Sequence, residues 1–364
     1  MRFGMHLSFK DGPKLAKDIG CQALQIFCGN PRGWQKSPLD PAFVETFRAG
    51  LKEHGIDPLV VHATYLINPA AHVEKFYQLS SESIVTELQR AAQVGAKYYV
   101  LHIGNHCGAG AEIGRKRVAA CMQQAASMVP DGPEILFENT SGSGTTLGTT
   151  FEEIAQLMDE AKLGDRLGLC LDTCHALAAG YDIRTAEGAK ATLDKIQQTL
   201  GIERLKCLHL NDSKGELGSK LDRHEHIGKG CIGSAGFHAL FSDKRLWNLP
   251  AILETPREST RDEWDNLWAA IDIAKAAGAM NSGTFPERPP RPELSAKEVK
   301  AIAASAAEAA AKKAAKTAKS APIDACEPKP ATAKPAKLKA KSTSKPVAKA
   351  PAKTKTKAKV RSKK

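Results

Sequence analysis

The sequence predicts an α/β fold, a (β/α)8 TIM barrel with a disordered basic C-terminal tail. Three observations lead there. Short apolar runs alternate with segments of helical apolar spacing, eight such runs fit within about 280 residues, and the composition changes abruptly beyond them. An open doubly wound sheet is the structural alternative.

The runs are RFGMHLS, ALQIF, PLVVHAT, YYVLHIG, EILFENT, LGLCLDT, LKCLHLN and PAILETP. Each has the length and apolar content of a buried strand. Between most of them lie helical patterns, among them DPAFVETFRAGLKEHG, SSESIVTELQRAAQVG, TFEEIAQLMDEAKLG and STRDEWDNLWAAIDIAKAAG. Ser, Thr or Asp often precedes the helical pattern and Gly often closes it, as helix caps require.

Composition bounds the function classes. Of 364 residues, 42% are apolar, enough for a sizeable core. The opening MRFGMHLSFKDGPK has no apolar signal region, and no apolar run approaches the ~18 residues of a span, so neither a signal peptide nor membrane association is expected. Nine Cys, an odd number without CxxC pairs, read as free thiols of a reducing compartment.

The net charge of +12 is unevenly distributed. Residues 297–364 hold 20 of the 52 Lys and Arg but 4 of the 40 Asp and Glu, which leaves 32 basic and 36 acidic residues in 1–296. A mildly acidic body of net −4 therefore carries a tail of net +16. The expected organisation is a barrel over 1–285, a Pro-rich then Ala/Lys-rich linker with helical potential over 286–320, and a disordered Lys/Ala/Pro tail over 321–364.

Polar residues sharpen the reading. In six of the eight runs a metal-competent residue stands at or near the C-terminal end: His62, His102, Glu138, Asp172, His209 and Glu254. In a (β/α)8 barrel these ends converge on the face where active sites lie. Scattered through a core, each would need its own buried partner. In LDTCHALAAGYD, His175 follows Asp172 by three residues, and in LDRHEHIGKG, Asp222 and His224 share one side of an extended segment. Five His, two Glu and two Asp result, a nitrogen and oxygen donor set without thiolate that suits zinc or manganese. Nine donors suit two or three cations with a bridging carboxylate. Cations held ~3.5–4 Å apart suit phosphoester hydrolysis. His54, His72 and His238 read as structural, His6 as lining the site, and His106 and His226 as flanking it.

At these residues the sequence resembles the endonuclease IV family, zinc-dependent apurinic/apyrimidinic (AP) endonucleases. The matching segments VVHATYLIN, LHIGNH, ENTSGSGTTLG, LCLDTCHALAAGYD, LHLNDSKGELGSKLDRHEHIGKGCIG and ILETP occur in the family's order over the body of the chain. The resemblance implies three zinc ions, with manganese admissible at one position. His62, His102 and Glu138 would hold the first; Glu138, bridging, with Asp172, His209 and Glu254 the second; His175, Asp222 and His224 the third. Glu138 and Glu254 would be the catalytic carboxylates, the latter orienting or deprotonating the nucleophile. The implied reaction is hydrolysis of the phosphodiester 5′ to an abasic site in duplex DNA, leaving a 3′-hydroxyl and a 5′-deoxyribose phosphate, with trimming of blocked 3′ ends. Arg32, Tyr65 and Leu66 match positions that contact DNA and fill the gap left by a flipped nucleotide, although from sequence alone Tyr65 and Leu66 read as ordinary loop residues. Thr64 stands where Pro is common, and Ile103 and Asn105 depart from the usual HPGSH. These departures spare every ligand and bear on loop positioning.

The tail is expected to contact DNA nonspecifically by counterion release, and resembles linker-histone tails in composition alone; an incidental or solubilising extension is the alternative. A monomer is expected from the resemblance. The compartment stays open between a nucleoid-associated cytoplasmic enzyme in a bacterium and a nuclear one in a eukaryote, since KVRSKK suits a nuclear address. Three rival readings differ in kind. A xylose-isomerase-type sugar isomerase would use Glu138, Asp172, His209 and Glu254 but leave the other donors without a role. A DNA-coating protein with a decayed barrel would not keep the full ligand set, and a UV-damage endonuclease would differ in lesion choice.

Overall fold

The computed structural model describes residues 1–279 and 285–304. Contacts divide the chain into Met1–Ala307 and Glu308–Lys364. The expected tail over 321–364, and the linker beyond residue 304, lie outside the described residues.

Eight parallel strands close into a barrel: β1 (Arg2–His6), β2 (Ala23–Phe27), β3 (Leu59–His62), β4 (Tyr98–His102), β5 (Glu134–Glu138), β6 (Leu167–Asp172), β7 (Leu205–His209) and β10 (Pro250–Leu253). They are the eight apolar runs. Between β7 and β10 a short antiparallel hairpin joins β8 (Asp212–Ser213) to β9 (His224–Glu225). The barrel closes where β1 pairs with β10, Arg2 opposite Pro250. The α-helices around the barrel are α1 (Gly12–Ile19), α2 (Pro41–Glu53), α3 (Glu74–Val94), α4 (Ala111–Met128), α5 (Phe151–Ala161), α6 (Thr173–Ala179), α7 (Ala186–Thr199), α8 (Gly233–Phe241) and α9 (Thr260–Ala276), and residues 296–304 are helical as well.

Strand alternation separates two cores. Ala23, Val60, Tyr98, Val100, Leu136, Cys170, Cys207 and Ile252 form one buried cluster, the filling of the barrel. Their strand neighbours, such as Leu24, Val61, Tyr99, Phe137 and Leu171, pack outward against the helices. Where β1 and β2 meet, the filling has no room for a side chain on Gly4, whose Cβ would lie 2.2 Å from the Ala23 carbonyl oxygen. Eight cysteines fall among the described residues and all are free thiols, six of them buried.

Cap residues place several helices as expected. Asp40 accepts from the Ala42 N–H, Thr150 from Glu153 and Thr185 from Gly188. One cap reading fails. Ser80 and Ser81 suggest the start of α3, but the helix begins six residues earlier, at Glu74. Both serines are buried inside the helix, and their hydroxyls donate to the carbonyls of Phe76 and Tyr77. Ser80 also accepts the Asn68 N–H, so it serves a tertiary contact and not a cap.

The body also extends past the boundary expected at residue 285. Phe285 stacks on Phe3 at 6.4 Å. The Arg288 guanidinium lies 4.6 Å from the Trp268 ring centroid and pairs with Asp272, while Trp264 Nε1 donates to the Pro289 carbonyl. Arg291 pairs with Asp265, and Arg261 Nε donates to the Pro292 carbonyl at 2.8 Å. The start of the Pro-rich stretch is thus a strap docked on α9. Its packing rests on Arg–Trp stacking and backbone acceptors, which apolar periodicity does not register.

Replacing Gly4 by Ala should lower the urea midpoint by an amount equivalent to about 1–3 kcal/mol, the usual effect of overpacking a tight core site. An unchanged midpoint in equilibrium unfolding would contradict the close β1–β2 approach.

Candidate metal centre

Each barrel strand repeats one device. Two residues after an inward-facing small or apolar position comes a polar one: Gly4 then His6, Ala23 then Gln25, Val60 then His62, Val100 then His102, Leu136 then Glu138, Cys170 then Asp172, Cys207 then His209, Ile252 then Glu254. A period of two keeps both members of each pair on one face of the strand. Closure then brings eight polar side chains into one layer above the apolar filling.

Distances show how tightly. Glu138, fully buried, stands at the middle. Its Oε2 is 3.3 Å from His62 Nε2 and 3.3 Å from His102 Nε2. Its Oε1 is 3.3 Å from His209 Nδ1 and 3.2 Å from His175 Nδ1. Glu254 Oε2 lies 3.5 Å from His209 Nδ1. Beside this group, Asp222 Oδ1 is 3.3 Å from His175 Nε2 and 3.5 Å from His224 Nε2. Two ligands joined to one tetrahedral cation by ~2.0 Å bonds stand about 3.3 Å apart, so these spacings are those of donors sharing a cation.

All nine expected donors are therefore gathered, in overlapping sets. His62, His102 and Glu138 form one; His62, His209 and Glu254 another; Asp172, His175 and His224 a third. The Asp172 carboxylate stands 3.8 Å from His175 Nδ1 and 3.8 Å from His224 Nε2. Its Oδ1 caps α6 by accepting the His175 N–H at 2.8 Å, and its Oδ2 accepts from Asn211 Nδ2 at 2.6 Å. Cys170 and Cys207 come within ligand range of His209, and a third thiol, Cys174, lies within ligand range of Asp222 and His224. Burial pushes that thiol up to about 12, which keeps it protonated. The flanking histidines take other partners: His106 Nδ1 accepts the Gly110 N–H, and His226 Nδ1 pairs with Asn266.

A second ring of polar groups orients the first. His62 Nδ1 donates to the Ala63 carbonyl at 2.7 Å, His175 Nδ1 to that of Asn139 at 2.9 Å, and His224 Nδ1 to that of Glu254 at 2.9 Å. His209 Nε2 donates to Gln25 Oε1 at 2.8 Å. In each ring the other nitrogen is left facing the centre, the usual arrangement behind a ligating imidazole. Gln25 does more, because its Nε2 also donates to Glu254 Oε1 at 2.5 Å, the oxygen that accepts from His6 Nδ1 at 3.2 Å. Asn211 Oδ1 accepts the Glu254 N–H. Sequence reasoning passes over Gln25, Asn139 and Asn211; an amide inside or just after an otherwise apolar strand run is the available signal.

Asp222 and His224 ride on a loop that needs its own anchor. Asp212, fully buried, accepts the N–H groups of Gly230 and Ile232 at 2.9 Å each and of Gly233 at 3.2 Å. The hairpin pairs Ser213 with His224. One carboxylate thus fastens both ends of the segment that projects Asp222 and His224 toward His175.

Three buried atoms of the centre, Glu138 Oε1, His209 Nδ1 and His224 Nε2, have no hydrogen-bond partner. Unpaired buried polar atoms are costly, and bound cations would satisfy all three. The charge balance shows the same demand. Burial opposes the charged forms throughout, yet the field of Asp172, the contact with Asp222 and the field of Glu138 hold His175 well above its ordinary range. Glu138 itself, despite burial, is driven well below the usual carboxylate range by His102 and His209. The donor set fits bound divalent cations.

The three residues expected to meet DNA lie on the loops that follow β2 and β3. Tyr65 is 71% exposed and Leu66 37%, two apolar side chains on the loop directly after His62. The Tyr65 ring leans on Phe27 at 5.0 Å. Burial and the Glu254 carboxylate raise the Tyr65 phenol while Arg32 opposes them, which places the exposed Arg32 within electrostatic reach of Tyr65.

Substituting Leu for Gln25 should weaken zinc binding roughly 10–100-fold, as loss of an orienting partner does. Chelator competition on the purified protein measures it; unchanged affinity would show that His209 and Glu254 hold their orientation without the amide.

Known proteins share this architecture. Residues 13–277 match the family model described as a xylose isomerase-like TIM barrel. The protein named probable endonuclease 4 of Methanoculleus marisnigri is 43% identical over 262 residues, covering 72% of this chain and 93% of that protein. The probable endonuclease 4 of Chloroflexus aurantiacus is 43% identical over 282 residues, 76% of this chain and 99% of its own. The crystal structure of endonuclease IV from Thermus thermophilus superposes with a TM-score of 0.68 at 37% identity, over 76% of this chain and all of that one. A D-tagatose 3-epimerase-like structure reaches a TM-score of 0.58 at 20% identity and shares the fold alone. On these matches the chain belongs to the endonuclease IV family, the metal-dependent AP endonucleases of DNA repair.

Proposed function

We propose that this protein hydrolyses the phosphodiester 5′ to abasic sites in duplex DNA, leaving a 3′-hydroxyl and a 5′-deoxyribose phosphate, and that it also trims blocked 3′ ends. The observation that carries the reading is Glu138. A fully buried carboxylate with three free imidazole nitrogens 3.3 Å from its two oxygens, two beside Oε2 and one beside Oε1, is built to be shared between cations. His62, His102, Glu138, Asp172, His175, His209, Asp222, His224 and Glu254 are the proposed ligands of three zinc ions, with manganese admissible at one. Closely spaced cations supply a nucleophile at neutral pH and neutralise charge on both the attacking and leaving oxygens.

The chain's own residues do the rest. Glu254, fixed by Gln25 and hydrogen-bonded to His6, is positioned to orient the nucleophile or accept its proton. Arg32 contacts the backbone, and Tyr65 and Leu66, exposed at the rim, fill the space left by a flipped nucleotide. Unstacking is cheapest where the base is already missing, which gives selectivity for damage without reading sequence. The donors beyond Glu138, Asp172, His209 and Glu254 speak against a sugar isomerase, which has no use for a third cation.

The tail, by its 20 Lys and Arg against 4 acidic residues, adds nonspecific DNA binding that a body of net −4 lacks. The active species is a monomer, with the barrel as catalytic body and the tail as tether. Among the described residues no helix is long and apolar enough to cross a membrane.

The test is cleavage of an end-labelled duplex bearing one synthetic abasic residue. A single cut 5′ to the lesion, abolished by chelation and restored by zinc, is expected; no cut by fully metallated protein would overturn the proposal. A duplex carrying a UV photoproduct should be left intact, and cutting there alone would point to the UV-damage reading.

A further inference from the structure

The two loops that carry Arg32 and Tyr65–Leu66 meet at one buried carboxylate outside the metal centre. Lys36 belongs to the loop between β2 and α2, four residues after Arg32. Its side chain is 1% exposed, and its Nζ stands 2.9 Å from Oε1 of Glu87, which is 0% exposed on α3. The same carboxylate receives the Thr64 hydroxyl at 2.7 Å and the Thr64 N–H at 3.3 Å, one residue before Tyr65. Tyr99 donates its hydroxyl to Oε2 at 2.8 Å. One turn along α3, Arg90 Nε donates to the Cys28 carbonyl at 2.6 Å and its Nη1 to the Ser37 carbonyl, gripping the Arg32 loop at both ends. Gly29 leaves room for the Lys36 stem, since a Cβ there would sit 3.2 Å from its Cδ and Cε.

Burying an ammonium and a carboxylate together is a poor way to gain stability. Desolvation offsets most of the attraction, and apolar residues of similar volume commonly do as well. What the arrangement does supply is a fixed relation between two chain segments that do not otherwise adjoin in sequence. The Thr64 hydroxyl is one of the donors that completes it.

We propose that the Lys36–Glu87 pair is a positioning device that holds the Arg32 loop and the Tyr65–Leu66 loop as one unit for engaging the duplex. This rests on the function proposed above. Glu87 touches neither substrate nor metal ligand; it acts through Lys36 and Thr64.

Four variants of the full chain test it: Lys36→Met, Thr64→Val, Glu87→Gln and the double variant Lys36→Met with Glu87→Gln. Amide hydrogen exchange is followed over residues 28–40 and 63–68. Lys36→Met should speed exchange in the first segment alone, Thr64→Val in the second alone, and Glu87→Gln in both. In cleavage of the abasic duplex, Glu87→Gln should raise KM roughly tenfold with kcat kept within about twofold, as loss of a hydrogen bond to a charged group outside the chemistry implies. The double variant leaves no lone buried charge, so it should regain thermal stability yet keep the raised KM. A KM that recovers with stability, or exchange in Glu87→Gln that changes in one loop alone, would overturn the proposal. Should the wild-type protein fail to cut, the functional reading falls by itself, and the exchange pattern still decides whether the loops are coupled.

Discussion

Closing eight parallel strands into a barrel turns the last inward residue of every strand toward the same small volume. Here those residues are His6, Gln25, His62, His102, Glu138, Asp172, His209 and Glu254, and the layer beneath them is apolar. A fold normally avoids such a concentration of buried ionisable groups, because each loses its hydration. Imidazole and carboxylate donors spaced about 3.3 Å apart are compatible with burial when cations are shared among them. The chemistry of the site and the stability of the barrel mouth are thus one requirement.

That requirement spreads outward. Rings must present the correct nitrogen, so backbone carbonyls and Gln25 accept from the opposite one. The Asp222–His224 segment enters from a loop, and a loop is fixed only by what it bonds to. Asp212 supplies that by gathering the N–H groups of Gly230, Ile232 and Gly233. Further out, α3 offers Glu87 and Arg90 to the loops around the rim. Charged groups at successive distances from the centre therefore hold the position of the groups inside them.

The strands and most of the centre are legible in the sequence for one reason. A metal donor two residues after an apolar inward residue, repeated strand after strand, is a pattern local enough to read. The start of α3 is not legible at Ser80, because a serine inside a helix and one at its cap look alike until the Phe76 and Asn68 contacts are known. Gln25 stays hidden because a neutral amide in ALQIF signals nothing until β2 is seen beside His209 and Glu254. The hydrogen bond that Asp172 accepts from Asn211 is likewise hidden, because no spacing encodes it. Lys36 and Glu87 carry no signal in the sequence, since neither loop nor helix pattern reveals that they face each other. The strap at residues 285–292 looks like linker because prolines and arginines carry no apolar period.

The most direct measurement is the number and location of bound cations, by anomalous diffraction from crystals of the zinc-loaded protein alongside native mass spectrometry. Three zinc ions per chain are expected, two of them bridged by Glu138, and Glu138→Ala should leave a single ion, held by His175, Asp222 and His224. One ion in the unaltered protein, or loss of only one on replacing Glu138, would contradict a centre organised around a shared carboxylate.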